Sequence, residues 1–365
     1  MINGILRQYN ALLLFIVAVL ISGCDVRLPT VDGPESNDLL TQLHGYILID
    51  KPKGGILAIE LPSTKEIIIR KPWGEKNNPV DALSGPDNQG RIAFIDSGLG
   101  ATNYSLKVID LNTQKETEIF TRHGSSWPHE TQNYGDSFSL SPTDGVVAFI
   151  INYKDDFSLI PNDYVNIGTL EIVKIKNGDV IKTDIKALDK GLSWFPDGKQ
   201  LAYVALIRKD KLPNHLRTTF DDNFGREMTL WKSIPVTFLV DLTKMSSRPI
   251  HIGWNPIVSK DGSSILIQDY EGRIRLYKIS SGESVSVNLP PAKQSHVFSF
   301  IGQDMLLYKG LPTKGSKQKF RLTSTFGTTP YWTLKVAQLN TGKFKTLIQY
   351  LDIHRRVSFG NGKIN

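Results

Sequence analysis

The chain has 365 residues, 40% hydrophobic and 22% charged, a composition that excludes general disorder and can bury a large core in one domain or two. Its single cysteine, Cys24, excludes disulfide staples and any Cys-based metal or redox chemistry in the body of the protein. The formal charge of +7 fits an ordinary solvated surface or, outside the cytoplasm, an anionic lipid or acidic partner rather than nucleic acid.

Residues 1–23 follow a different logic from the rest. Arg7 precedes an apolar run from Ala11 to Ile21, and the small residues Ser22 and Gly23 follow, which is the layout of a secretory signal. The run is short for a bilayer crossing of ~20 residues, so cleavage is expected rather than a permanent span. Ile21-Ser22-Gly23-Cys24 is similar to the lipobox of bacterial lipoproteins. The resemblance implies that Cys24 becomes the first mature residue and carries acyl chains, palmitate among them, each buried methylene contributing roughly 0.8 kcal/mol to membrane attachment. Asp25 resembles the signal that retains such lipoproteins in the inner membrane of enteric-type bacteria. The expected location is therefore the cell envelope, facing the periplasm, with the inner membrane favoured over the outer.

Residues 24–42, with Pro29, Gly33, Pro34 and Ser36, read as the lipidated cysteine and a flexible tether, and residues 43–365 as the folded body. The body is a succession of short apolar runs punctuated by turn residues, with no amphipathic helix. Two distant segments agree closely: Leu106, Lys107, Val108, Leu111, Asn112 and Thr113 reappear as Leu334, Lys335, Val336, Leu339, Asn340 and Thr341. Anchoring on the last apolar residue before the turn gives six copies, at Leu61, Leu111, Ile175, Leu242, Ile279 and Leu339. The preceding residue is polar in each, and the residue three before is apolar in each. A strand packed against neighbours requires such a pattern, and the turn that follows makes each copy a hairpin.

A second kind of unit supplies an inner strand, a turn often built on Asp-Gly, and a second strand, over 138–149, 192–203, 256–267 and 298–308, with a looser copy over 82–94. Four strands per unit, repeated at irregular spacing, predict an all-β, six-bladed β-propeller of four-stranded antiparallel blades, with seven blades or a two-domain chain as alternatives. The first unit lacks its inner strand, and "RRVSFGNGK" near the C-terminus reads as the missing piece, closing the ring beside the N-terminal hairpin. Leu192-Ser193-Trp194-Phe195-Pro196-Asp197-Gly198-Lys199-Gln200-Leu201-Ala202-Tyr203 resembles the W-S-P-D-G-K-x-[IL]-A-[FY] unit of TolB-like β-propellers, with one residue inserted before the proline, and Ser141-Pro142-Thr143-Asp144-Gly145 is a second near match. The resemblance runs from about His44 to the C-terminus and implies partner binding in envelope maintenance, although the chain has no room for TolB's separate N-terminal domain.

In a propeller the long insertions at 154–166, 209–232 and 309–329, with the linker 121–136, all fall on one face. The linker brings together His123, Trp127, His129, Glu130 and Tyr134, a mixture suited to sugar stacking or protein contact, and two histidines six apart form no zinc motif. The insertion of the fourth unit carries His215, Arg217, Asp221, Asp222 and Arg226, and its adjacent carboxylates lack the calcium-loop spacing. That of the sixth carries Lys314, Lys317, Lys319 and Arg321 without an acid. No nucleophile elbow, P-loop or dinucleotide fingerprint occurs, no metal or cofactor is implied, and Ser139 and Ser193 fall on inner strands, where structural roles are expected. Two functions remain in view: a non-enzymatic, membrane-tethered scaffold for an envelope protein, and a carbohydrate-binding or carbohydrate-active propeller of lyase or hydrolase type.

Overall fold

The computed structural model describes residues 35–51, 55–71, 80–97, 103–123, 137–155, 166–189, 191–217, 232–269, 272–287, 289, 296–310, 320–323, 327–330, 332–339, 341–351 and 357–360. Six four-stranded antiparallel sheets form the blades of a propeller. From the axis outward, blade one is β26 (Val357–Gly360), β1 (Gly45–Lys51), β2 (Gly55–Leu61) and β3 (Glu66–Arg70). Blade two is β4 (Val80–Ser84), β5 (Arg91–Ser97), β6 (Asn103–Asp110) and β7 (Lys115–His123). Blade three is β8 (Phe138–Leu140), β9 (Val146–Asp155), β10 (Asn166–Lys174) and β11 (Val180–Leu188), and blade four is β12 (Leu192–Trp194), β13 (Gln200–Arg208), β14 (Ser233–Asp241) and β15 (Ser246–Ile252). Blade five is β16 (Trp254–Val258), β17 (Ser264–Gln268), β18 (Ile274–Lys278) and β19 (Ser284–Val287). Blade six is β20 (His296–Ile301), β21 (Met305–Gly310), β24 (Trp332–Gln338) and β25 (Phe344–Leu351), with a separate hairpin of β22 (Phe320–Thr323) and β23 (Gly327–Pro330) between its second and third strands.

The ring closes as expected. Val357–Gly360 pairs antiparallel with β1, Ile47 opposite Phe359 and Ile49 opposite Val357. Val357 and Phe359 are buried in a cluster with Ile301, Leu307, Leu334 and Val336 of blade six, so this strand seals the seam between the last blade and the first.

Middle strands read as continuous apolar runs because both of their faces are covered. In β5, Ile92 and Phe94 pack toward blade one, while Ala93 and Ile95 pack toward blade three. The six anchor residues mark the ends of third strands: Leu61 closes β2, and the other five directly follow theirs. Outer strands are covered on one side only, which leaves Ile68 and Val285 exposed.

Three details differ from the sequence reading. Residues 35–42, assigned to the tether, belong to the folded body. Ser36 N donates to Phe344 O at the outer edge of blade six, and the helical turn α1 (Asp38–Thr41) buries Leu39, with Leu43 close behind, in the seam between blades six and one. The signal was the Leu39-to-Leu43 spacing, which a run of turn-forming residues just upstream obscured. The linker placed at 121–136 starts later, because β7 continues to His123, which pairs with Asn103. Part of the sixth-unit insertion is the β22–β23 hairpin, where Arg321 stands opposite Thr329.

Inner strands are linked to their neighbours by serines. Ser84 Oγ accepts from Leu140 N (2.9 Å), Ser193 Oγ accepts from Val258 N (3.0 Å), and Ser358 Oγ donates to Gly85 O. Trp194 Nε1 donates to Ser139 O at 3.0 Å. The Ser193 hydroxyl therefore has the structural role expected of it, and Ser139 contributes through its backbone carbonyl.

Candidate interaction faces

Strand direction alternates within a blade, so the turns joining first to second and third to fourth strands share one end of the ring. There they span three to six residues each. They also interlock: Asn88 N donates to Pro142 O (2.8 Å) and Thr143 Oγ1 to Asp197 O (3.2 Å). Gly198, at φ +72°, is wedged so tightly that a Cβ would lie 2.0 Å from Thr143 Oγ1. The Asp-Gly turns of the repeat thus serve geometry, supplying positive φ and a close approach that a side chain would block.

Most of the long connections leave from the other end. Residues 156–165, 209–232 and 311–331 follow second strands, and 71–79, 124–137 and 288–295 precede inner strands; the other six connections at this end, 52–54, 98–102, 189–191, Gly253, 269–273 and 352–356, span one to five residues. The blade-four insertion starts on a firm base. Its stem is closed by Lys209 N donating to Lys232 O (3.1 Å), and Leu212 and Leu216 are pegged into a cluster with Leu188, Val204 and Ile252. On the surface of this base Arg208 meets Asp210 at 2.9 Å, which lowers the Asp210 pKa.

Of the residues singled out in the sequence, His215 is exposed on the helical turn over 214–217. Arg217 folds back on the base, its Nε donating to Leu212 O (2.8 Å) and Nη2 to Asp210 O (3.1 Å), and so braces the loop. His123 ends β7 at the loop-rich rim. Cys24, Asp25, Trp127, His129, Glu130, Tyr134, Asp221, Asp222, Arg226, Lys314, Lys317 and Lys319 lie outside the described residues. Among the described residues, no group of three or more His, Cys, Asp or Glu is placed to hold a metal ion.

Several chemically notable side chains escaped the sequence reading because their partners sit in different blades. Arg70, at the end of the outer strand of blade one, reaches Asp96 of blade two (2.8 Å) and Glu116 (3.0 Å), and Lys107 joins Asp96 at 2.8 Å. Arg122, near the end of the outer strand of blade two, pairs with Glu171 of blade three at 2.5 Å. In blade four that place is taken by His251. Its ring meets the Tyr277 ring edge-on at 5.7 Å and its Nδ1 lies 2.6 Å from Ile252 O, and burial lowers its pKa. A repeated D-x-x-G-R turn was visible in the sequence at 87–91 and 269–273. In both, the aspartate accepts from the arginine N (2.9 Å) and Nε (2.7 Å).

No protein-family model matches the sequence, nor does any curated protein. Among solved structures, TolB from Acinetobacter baumannii is similar over 87% of this chain and 67% of its own, with 13% identity and a TM-score of 0.55. The nidogen/laminin complex matches over 86% of this chain and 97% of that one at 9% identity and a TM-score of 0.48. An oligogalacturonate lyase in complex with manganese matches over 83% and 74% at 16% identity and a TM-score of 0.45. The likeness to TolB, at this identity, shows the fold alone: a six-bladed β-propeller distantly resembling TolB.

Proposed function

We propose that the protein is a cell-envelope lipoprotein, anchored through acylated Cys24 and facing the periplasm, whose propeller is a non-enzymatic scaffold receiving a protein partner on its loop-rich face. The observation that carries the reading is the asymmetry of the ring: interlocked turns of three to six residues at one end, and the long insertions at the other. Binding residues characteristically sit on loops held by a rigid scaffold, and pegs such as Leu212 and Leu216 hold this one. The Ile21-Ser22-Gly23-Cys24 motif supports the anchor, and Asp25 supports retention in the inner membrane.

The test compares the full-length protein with a variant lacking 218–231, which keeps both leucine pegs, in pull-downs from envelope extracts. Loss of one protein partner with the shortened loop is expected; recovery of glycan alone from both would overturn the scaffold in favour of the carbohydrate reading. Cys24→Ser is expected to abolish labelling by palmitate and to release the protein from the membrane fraction. Undiminished labelling or membrane association would refute the anchor.

A further inference from the structure

Three seams carry a basic residue near the end of an outer strand, turned toward the next blade, and they use it differently. Arg70 and Arg122 meet carboxylates there, Asp96 and Glu171. His251, in the seam between blades four and five, meets a ring instead: it is only 4% exposed and stands edge-on to Tyr277 of blade five at 5.7 Å. Its Nδ1 lies 2.6 Å from Ile252 O, and because a carbonyl only accepts, the neutral imidazole carries its proton on Nδ1. Nε2 is left as a bare lone pair, buried and without a hydrogen-bond partner among the described residues.

A second proton would have to enter at Nε2. The charged groups acting on the ring come from blade five and oppose each other, Arg275 repelling the added charge and Asp269 attracting it. Asp269 is already held by Arg273 N (2.9 Å) and Nε (2.7 Å), with Arg275 Nε at 3.8 Å. Within blade four, Thr237 stands opposite His251 and is neutral, its hydroxyl donating to Gly253 O (3.0 Å). Burial therefore decides, and it lowers the pKa from 6.5. An open seam takes up the proton that the closed seam refuses. The seam is thus fully held above about pH 6.5, and its opening becomes more favourable by up to about tenfold for each pH unit below that. Ile252 carries the effect onward: its carbonyl holds the imidazole, and its side chain is buried in the cluster that pegs Leu212 and Leu216, the base of the blade-four insertion.

We infer that His251 is an acid-sensitive latch: with a neutral ring it closes the seam between blades four and five and fixes the base of the blade-four insertion, and protonation at Nε2 releases both. That the latch regulates partner binding rests on the reading of the loop-rich face as the receiving one; the latch itself is tested without a partner. Hydrogen–deuterium exchange of the full-length protein, corrected for the intrinsic pH dependence of exchange, compares pH 7.5 with pH 5.0. Protection over 209–217 and 249–253 is expected to fall at least tenfold, and that over 91–97 and 103–110 in blade two less than twofold. His251→Phe, which keeps a ring and cannot titrate, should remove the local fall, and His251→Gln serves the same comparison if the phenylalanine variant does not fold. The inference is overturned if protection over 209–217 and 249–253 holds at pH 5.0, if every blade loses protection alike, or if the fall persists in the substituted protein. A partner that still binds after deletion of 218–231 would instead sink the reading of the face and leave these protection factors as they are.

Discussion

Lys335 in blade six occupies the position of Lys107 in blade two, and replacing it should stabilise the protein. Lys107 pairs with Asp96 at 2.8 Å and Glu116 at 3.6 Å. In blade six the equivalent registers hold Gly310 and Phe344, so both acids have gone. Lys335 is fully buried, its Nζ has no hydrogen-bond partner among the described residues, and it sits 4.7 Å from the centre of the Phe344 ring. Burial pushes its pKa down from 10.5 to about 8, against a smaller upward pull from Glu35. The folded protein thus releases this proton before the unfolded chain does. Below about pH 8 the full cost of the buried charge is present; between about 8 and 10.5 stability rises with pH, and above 10.5 the lysine no longer matters. At 1.36 kcal/mol per unit the cost is roughly 3 kcal/mol at pH 7. Lys335→Met, which keeps the volume and removes the charge, should be more stable than wild type by about 2–3 kcal/mol there. Urea midpoints read by tryptophan fluorescence from pH 6.5 to 10.5 should show the two proteins converging as pH rises. Gly310→Asp, which returns one acid, should move the onset of the rise upward. A gap constant with pH, or a Lys335→Met protein less stable than wild type at pH 7, would refute the reasoning.

Three further outcomes follow from the seams and turns. Arg70→Met leaves Asp96 buried with only Lys107 beside it and should cost about 3 kcal/mol or more in chemical denaturation; Arg70→Met with Asp96→Leu should recover much of that loss. Gly198 and Gly342 both have positive φ, +72° and +66°, but only Gly198 is crowded. Gly342→Ala should cost about 1 kcal/mol from backbone strain, and Gly198→Ala clearly more, in parallel melting curves. Deleting 353–365 removes the inner strand of blade one and should lower the melting temperature of the whole protein, with Phe359→Ala alone costing about 3–5 kcal/mol. Unchanged melting of the truncated protein would refute closure.

The architecture was legible because a strand covered on both faces leaves a dense signature. Phe149 and Val173 in blade three obey the same constraint as Phe94 and Val108 in blade two, and turns such as Asn177-Gly178 punctuate them. Asp96 was not legible as a partner of Arg70, because the two lie on different blades and each alone looks like a solvated charge. Lys107 and Lys335 illustrate the difficulty: sequence comparison aligns them as repeats, yet one sits in an ion-pair network and the other is buried with no hydrogen-bond partner among the described residues. Their environments depend on Asp96 versus Gly310 and Glu116 versus Phe344, positions the repeat does not constrain. The candidate site was legible as a face rather than as a set of groups. His215 and Arg217 were both read as candidate binding residues; the hydrogen bonds of Arg217 to the carbonyls of Asp210 and Leu212 are a local contact with no sequence signature.

The asymmetry of the ring also sets where change is tolerated. At the short-turn end, neighbouring blades touch through Asn88–Pro142 and Thr143–Asp197, so lengthening one turn must displace the next. Pro196 and Gly262 extend this contact to blade five, where a Cβ on Gly262 would lie 3.2 Å from the proline ring. Blade six breaks the chain of contacts with a three-residue turn and an open Gly302, and that break is where Lys260 reaches to Phe359. At the loop-rich end an insertion needs only to return to its paired strand. Arg208 opposite Ser233, with the Lys209–Lys232 bond, closes the blade-four stem whatever length lies beyond. Insertions of a few flexible residues within 218–231 should therefore leave the melting temperature almost unchanged, since loop-closure entropy grows only by about 0.6 kcal/mol per doubling of length. The same insertions between Asp197 and Gly198 should unlock two blades and lower it sharply. Equal effects at the two ends would mean that the interlocked turns do not hold the ring together.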